Sequence, residues 1–134
     1  MYDLGEEELT ALKNVFERKK LYRYNSFDDT ECDLFEKEFS SHFSTRKSLL
    51  LTSGTNALVC ALLALEIKKG DEVIVPIYTF FATINAVLTV GAVPILVGQD
   101  DELGLNLKEL QQKMSLKTKA VICVHMDGLV SNIL

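Results

Sequence analysis

The sequence predicts an α/β fold with a mainly parallel sheet flanked by helices. Three observations carry that reading. The runs VIV at Val73–Val75 and AVICV at Ala120–Val124 are apolar at every position, as strands covered on both faces are. Segments of helical periodicity alternate with such runs. Turn signals such as Lys68-Lys69-Gly70-Asp71 stand between them. A chain of 134 residues, 48% of them hydrophobic, is within the range of one domain and suits a packed core.

The elements follow in order. Gly5 to Lys20 places Leu9, Leu12, Val15 and Phe16 on one helical face, with Glu6 to Glu8 at the start and Arg18 to Lys20 at the end. Those charges match the helix dipole. Tyr22 to Asp29 reads as a loop. Thr30 to Phe43 is a second helix through Leu34, Phe35, Glu38 and Phe39, with Thr30 as its cap. Ser48 to Leu51 is expected as a short strand, followed by a Ser-Gly-Thr turn and a helix to about Ile67. Glu72 to Pro76 is a buried strand. Thr79 to Val90 is helical and Gly91 ends it. Val93 to Val97 is a strand, Asn106 caps a helix over Leu107 to Met114, and Lys119 to His125 is the fourth strand.

Charge and composition exclude several function classes. Nineteen acidic and fourteen basic residues give a net charge of −5, which argues against a nucleic-acid surface. Cys32, Cys60 and Cys123 form no CxxC pair and no zinc spacing, so no metal site is expected. Cys60 and Cys123 lie in apolar runs, where a free thiol acts as a small hydrophobe, and a reducing cytoplasm suits them. The acidic, helical N-terminus is not a signal peptide. From Val73 to Gly98 no residue is charged. Pro76, Gly91 and Pro94 interrupt that stretch, and Thr79, Thr83, Asn85 and Thr89 add polarity. It reads as strand–helix–strand in a soluble core and not as a membrane span.

The stretch Leu51 to Ala64, LTSGTNALVCALLA, is the most informative. A helix begun at Gly54 and Thr55 aims free N–H groups and the positive end of its dipole at one spot. Two readings stay open on these residues: an anion site, with phosphate the usual occupant, or a plain cap by Ser53 or Thr55. Neither GxxxxGK[ST] nor GxGxxG is present.

With the elements placed, the chain resembles the N-terminal part of the DegT/DnrJ/EryC1/StrS family of pyridoxal-phosphate-dependent sugar aminotransferases. Gly5-Glu6-Glu7-Glu8 and Phe35-Glu36-Lys37-Glu38-Phe39 match its first two helices. Ser53-Gly54-Thr55-Asn56-Ala57-Leu58 matches SGTxAL, and Gly70 to Pro76 matches GDEVIVP. Thr79-Phe80-Phe81-Ala82-Thr83, Asn85-Ala86, Gly91-Ala92-Val93-Pro94 and the pair His125 and Gly128 follow at the family's intervals. Asp127 departs from it, since many members carry Tyr there, and Gln99 stands near where many carry Asp.

The resemblance implies the N-terminal portion of the large domain of a fold-type-I transferase, incomplete here. Residues 1–47 would hold the N-terminal helices, and residues 48–134 the first strands and the cofactor-phosphate turn. That plan sets the first strand beside the last, and the second beside the third and fourth. Ser48 to Leu51 would then lack both neighbours, and the strand from Lys119 would have an open apolar edge. The implied cofactor is pyridoxal 5′-phosphate, with Gly54 and Thr55 at its phosphate and Phe80 stacked on its ring. Without the family, Phe80 reads as an ordinary core aromatic. His125 and Gly128 are landmarks, and His125 is not expected as an acid or base.

The family's ring-nitrogen Asp and Schiff-base Lys follow the HxxG segment, and none of the eleven lysines here matches that motif. No catalytic residue is therefore assigned, and the chain alone is expected to be inactive. The expectation is an N-terminal fragment of a cytoplasmic, homodimeric enzyme acting on nucleotide-linked keto sugars, with glutamate as amino donor, completed by a C-terminal segment or a second subunit. The alternatives are one chain of a split aminotransferase, or a non-catalytic module that pairs with full-length relatives.

Overall fold

The computed structural model describes residues 4–19, 21–23 and 29–131. Most of the expected loop from Tyr22 to Asp29, and Lys20 at the end of the first expected helix, lie outside them. The chain divides into two compact units between Leu50 and Leu51.

The first unit holds helices α1 (Glu6–Arg18) and α2 (Glu31–His42). At the start of α1 the Glu8 carboxylate accepts from the Gly5 N–H at 2.7 Å, which holds its carboxyl below the ordinary range. Thr30 caps α2 reciprocally. Its Oγ1 accepts from the Asp33 N–H at 3.3 Å, and the Asp33 carboxylate accepts from the Thr30 N–H at 2.8 Å and from its hydroxyl at 2.6 Å. Thr30 itself is buried. One salt bridge joins Arg18 to Glu31 at 3.4 Å and another joins Arg23 to Glu36. The apolar stripes of both helices, Leu9, Leu12 and Phe16 on one and Phe35 and Phe39 on the other, remain exposed.

Ser48 to Leu51 does not form the expected strand. A strand exists by sharing a ladder, and among the described residues no segment pairs with this one. Its polar groups bond to side chains instead. Ser48 Oγ accepts from Ser40 Oγ at 2.8 Å, and the Leu50 N–H donates to the Glu36 carboxylate.

The second unit runs α3 (Gly54–Ala64), β1 (Glu72–Pro76), α4 (Ala82–Thr89), β2 (Val93–Val97), α5 (Leu107–Lys113) and β3 (Thr118–Val121). The sheet is parallel, in the order β2-β1-β3. The second expected strand therefore stands between the third and fourth, as the fold plan requires. Val73 and Val75 project into a core shared with Leu62 of α3 and with Ala86 and Val87 of α4. Ile74 projects the other way, onto Val97 and Leu105, with Leu110 of α5 against them. Covered faces on both sides explain why this strand is apolar at every position.

The strand β3 is shorter than the expected Lys119 to His125. Its last bond to β1 runs from the Ile122 N–H to the Ile74 carbonyl at 2.9 Å. The backbone groups of Glu72 and Ile74 face β3, so those of Pro76 come next. Proline has no N–H to donate, and the ladder stops.

Two helix ends fix the chain's return to the sheet. After α3 the Ile67 N–H bonds the Leu62 carbonyl at 3.0 Å and the Glu66 N–H bonds Leu63 at 2.9 Å, with Glu66 left-handed at φ 59°. After α4 the Ala92 N–H bonds Val87 at 3.1 Å and the Gly91 N–H bonds Leu88 at 2.9 Å, with Gly91 at φ 78°. Both are Schellman motifs, and each tucks a buried residue, Ile67 or Ala92, back onto the core. Helix α4 starts at Ala82, later than the expected Thr79, because Ile77 to Phe81 forms the loop that leaves β1.

Two outcomes test this account. Gly91→Ala forces a side chain into the left-handed region, 3.4 Å from Lys69 Cβ, and should lower stability by about 1 kcal/mol in urea unfolding. Thr30→Ala should cost α2 about 1 kcal/mol. Asp33 adds a pH dependence. The Thr30 hydroxyl first, then its N–H, hold the Asp33 carboxyl below the ordinary carboxylate value. Its contribution is thus present above the unfolded value and lost as pH falls through the lower folded one. Circular dichroism during acid titration should show wild-type α2 losing that advantage in this window, and Asp33→Asn should flatten the dependence.

Candidate functional site

The Ser-Gly-Thr turn folds as the sequence dictates. Ser53 is in extended backbone, and its Oγ accepts from the Asn56 N–H at 3.2 Å, capping α3. The Ala57 N–H bonds the Ser53 carbonyl at 3.0 Å. The Asn56 side-chain amide donates to Thr52 Oγ1 at 2.7 Å, so both neighbours of the turn are held by side chains. Among the described residues, the Gly54 and Thr55 N–H groups have no acceptor. A Cβ built on Gly54 meets nothing within 4 Å. The turn is therefore capped and also open: Ser53 satisfies one donor, and two more point outward with the positive end of the helix.

Topology places that opening. The C-terminal end of α3 leads through Gly70 and Asp71 to the amino end of β1, and α3 packs along α4. An eleven-residue helix rises about 16 Å, close to the length of a five-residue strand. The first turn of α3 thus lies toward the carboxyl edge of the sheet, where α4 also begins. Open α/β sheets bind ligands outside that edge.

Phe80 stands on the same edge, in the loop after β1. It is 67% exposed, which the core reading of this residue does not accommodate. Its ring packs against Phe81 at a centroid distance of 4.4 Å, with the planes at 51°. Thr79 and Thr83 share a hydroxyl hydrogen bond of 2.8 Å that pins the loop to the start of α4. The structure thus brings Gly54, Thr55 and Phe80 to one edge, with no hydrogen bond between the turn and Phe80 among the described residues.

Other loops reach this edge. Gln99, after β2, donates from Nε2 to the Tyr78 carbonyl at 3.4 Å and so ties two carboxyl-edge loops together. Sequence reasoning marked Gln99 only as a departure, because a contact across 21 residues leaves no local signal. His125, after β3, accepts at Nδ1 from the Ser131 N–H at 3.1 Å. The buried Ser131 in turn accepts at Oγ from the Leu105 N–H at 3.0 Å. Those bonds place His125 in a chain-folding role. Asp127 and Gly128 take left-handed backbone between them, at φ 53° and 82°.

The cysteines divide. Burial pushes the Cys123 thiol up, as befits a small hydrophobe. Cys60 is exposed, against expectation, because α3 is apolar on all sides and packs only one of them on the described core. Among the described residues no group of three or more His, Cys, Asp or Glu is placed to hold a metal. No helix among them is long and apolar enough to cross a membrane.

Similar proteins agree on one family. GDP-perosamine synthase of Escherichia coli O157:H7 is 43% identical over 95 residues, which are 70% of this chain and 26% of that protein. A UDP-N-acetyl-3-dehydro-alpha-D-glucosamine 3-aminotransferase of Acidithiobacillus ferrooxidans is 51% identical over 78 residues, 58% of this chain and 21% of that one. Among solved structures, an aminotransferase from Psychrobacter cryohalolentis superposes with a TM-score of 0.89 at 32% identity, covering 96% of this chain and 32% of that chain. A protein described as a sugar aminotransferase from Streptococcus pneumoniae, in its PLP form, superposes with a TM-score of 0.84 at 31% identity, covering 97% and 32%. The chain spans about a quarter of the length of these curated relatives and a third of the structures. The model of the DegT/DnrJ/EryC1/StrS aminotransferase family matches residues 2–134, and the chain belongs to that family.

Proposed function

We propose that these residues form the phosphate-binding part of a pyridoxal-phosphate-dependent aminotransferase acting on nucleotide-linked keto sugars. The observation that carries the reading is the open, capped first turn of α3, where the Gly54 and Thr55 N–H groups have no protein acceptor. Pyridoxal phosphate, when bound, supplies an electron-accepting ring for exchange of an amino group between substrates. The residues here fit such a group. Gly54 and Thr55 would donate to its phosphate at the helix N-terminus. Ser53 and the Asn56–Thr52 bond hold that turn in shape. Phe80, exposed on the same edge, would lie against the ring, a contact worth on the order of 1 kcal/mol. The relatives named for GDP- and UDP-linked sugars support the substrate class.

The reading extends to what this chain does not supply. None of its lysines matches the family's cofactor-linking position, so residues outside these 134 would provide it, from a C-terminal segment or a second subunit of a cytoplasmic homodimer. The exposed apolar residues of the loop at the candidate edge, Ile77, Phe80 and Phe81, support this, as does the exposed Leu63 toward the other end of α3. A helix apolar on all sides belongs in the interior of a larger protein.

Two measurements test the proposal. Titrating the chain with pyridoxal phosphate and following Phe or Tyr fluorescence should show saturable binding. Gly54→Asp, which sets a carboxylate at the phosphate position, should weaken it by roughly tenfold or more. Unchanged affinity in that variant would remove Gly54 and Thr55 from the site. Separately, the chain alone should give no turnover of glutamate above free pyridoxal phosphate, and borohydride should fix no cofactor at a specific lysine. Turnover abolished by changing one lysine of this chain would overturn the inactive-alone reading.

A further inference from the structure

The outer edge of β2 is largely occupied by α5 and the residue before it. In this strand the groups facing β1 belong to Val93 and Val97: the Val93 N–H bonds the Asp71 carbonyl at 2.8 Å, and the Val97 carbonyl accepts from Ile77 at 2.9 Å. Backbone groups alternate sides along a strand, so those of Pro94, Leu96 and Gly98 face outward. A strand at the end of a sheet normally offers such groups to any other extended chain.

Three of the five outward groups are taken, and the Pro94 carbonyl and the Leu96 N–H stay open among the described residues. Pro94 has no N–H to offer. The Leu96 carbonyl accepts from Lys113 Nζ at 2.6 Å. The Gly98 N–H donates to Glu109 Oε2 at 2.8 Å, and the Gly98 carbonyl accepts from the Asn106 N–H at 3.0 Å. Glu109 and Lys113 stand one turn apart on α5 and pair with each other at 2.6 Å. Lys113 first, then the Gly98 N–H, hold the Glu109 carboxyl below the ordinary carboxylate value. Gly98 itself is fitted to the arrangement, since a Cβ there would stand 2.6 Å from Glu109 Oε2. Helix α5 also covers the face of the sheet beside Val97, so the same element buries a face and blocks an edge.

We propose that Glu109 and Lys113 form a latch that closes the outer edge of β2 against strand addition, the excluded partner being the same edge of a second copy of this chain. Like edges are the nearest competitor in any solution of the protein, and beside the open Leu96 N–H and Pro94 carbonyl the side chains of Val93 and Leu96 are exposed. Strand addition is thereby confined to the opposite edge of the sheet, along β3. This inference concerns sheet assembly and stands whether or not the cofactor reading holds.

The test compares the full chain with Glu109→Ala/Lys113→Ala at equal concentration. The Gly98 amide should exchange with solvent about tenfold faster in the double variant, since its acceptor is gone. Thioflavin fluorescence and light scattering should rise several-fold faster. Adding Leu96→Pro removes an outward N–H that takes no part in the β1 ladder, and it should return association to the wild-type rate. Association at the wild-type rate in the double variant overturns the proposal. So does failure of Leu96→Pro to suppress it, which would place association on another edge. Should the double variant lose its far-ultraviolet circular dichroism, Lys113→Ala alone decides. It leaves Gly98 bonded and frees only the Leu96 carbonyl, so faster association supports the latch and an unchanged rate overturns it.

Discussion

The strand β1 is the constraint on which the second unit depends. It shares hydrogen bonds with β2 on one side and β3 on the other, and it is covered on both faces. Val73 and Val75 close the core under α3 and α4, while Ile74 closes the one under Leu105 and α5. No other strand among the described residues is enclosed in all four directions. A polar residue at any of these three positions would bury a group without a partner, which is why the run is β-branched and apolar throughout.

From that strand the candidate site follows by geometry. Parallel strands need crossovers, and each crossover returns a helix from the carboxyl edge of the sheet toward its amino edge. The helices therefore begin where the strands end. Helix α4 opens there behind Phe80, and α3, packed along it, presents Gly54 and Thr55 toward the same edge. Polarity of the helix backbone then does the rest, because free N–H groups and the positive dipole end gather there without any basic side chain. An acidic chain can in this way offer a local anion site.

The two long edges of the sheet are treated differently. Along β2, proline, glycine and two charged side chains of α5 occupy the outward row. Along β3 the ladder ends where Pro76 withholds a donor, and no described residue covers the far side. That asymmetry fits the expected plan, in which the strand from Lys119 has an open apolar edge. Exposed apolar side chains also stand on α3, at Leu63, and on the β1–α4 loop, at Ile77, Phe80 and Phe81.

Sequence alone determined the elements whose signals are local. Periodicity gave α1 and α2, Thr30 and Asn106 gave the caps of α2 and α5, Gly91 gave the end of α4, and the all-apolar runs gave β1 and the parallel sheet. The Ser-Gly-Thr turn was legible for the same reason, since capping is decided within four residues. Tertiary structure decided what depends on a distant partner. Ser48 to Leu51 has strand-like composition but no ladder neighbour among the described residues, so it is not a strand. The length of β3 was set by a proline in β1, 46 residues before Ile122. Phe80 and Cys60 looked like core residues and are exposed, because burial depends on what packs against a face and not on the face itself. The bonds from Glu109 to Gly98, from Lys113 to Leu96 and from Gln99 to Tyr78 bridge 11, 17 and 21 residues, and only the folded sheet brings their ends together.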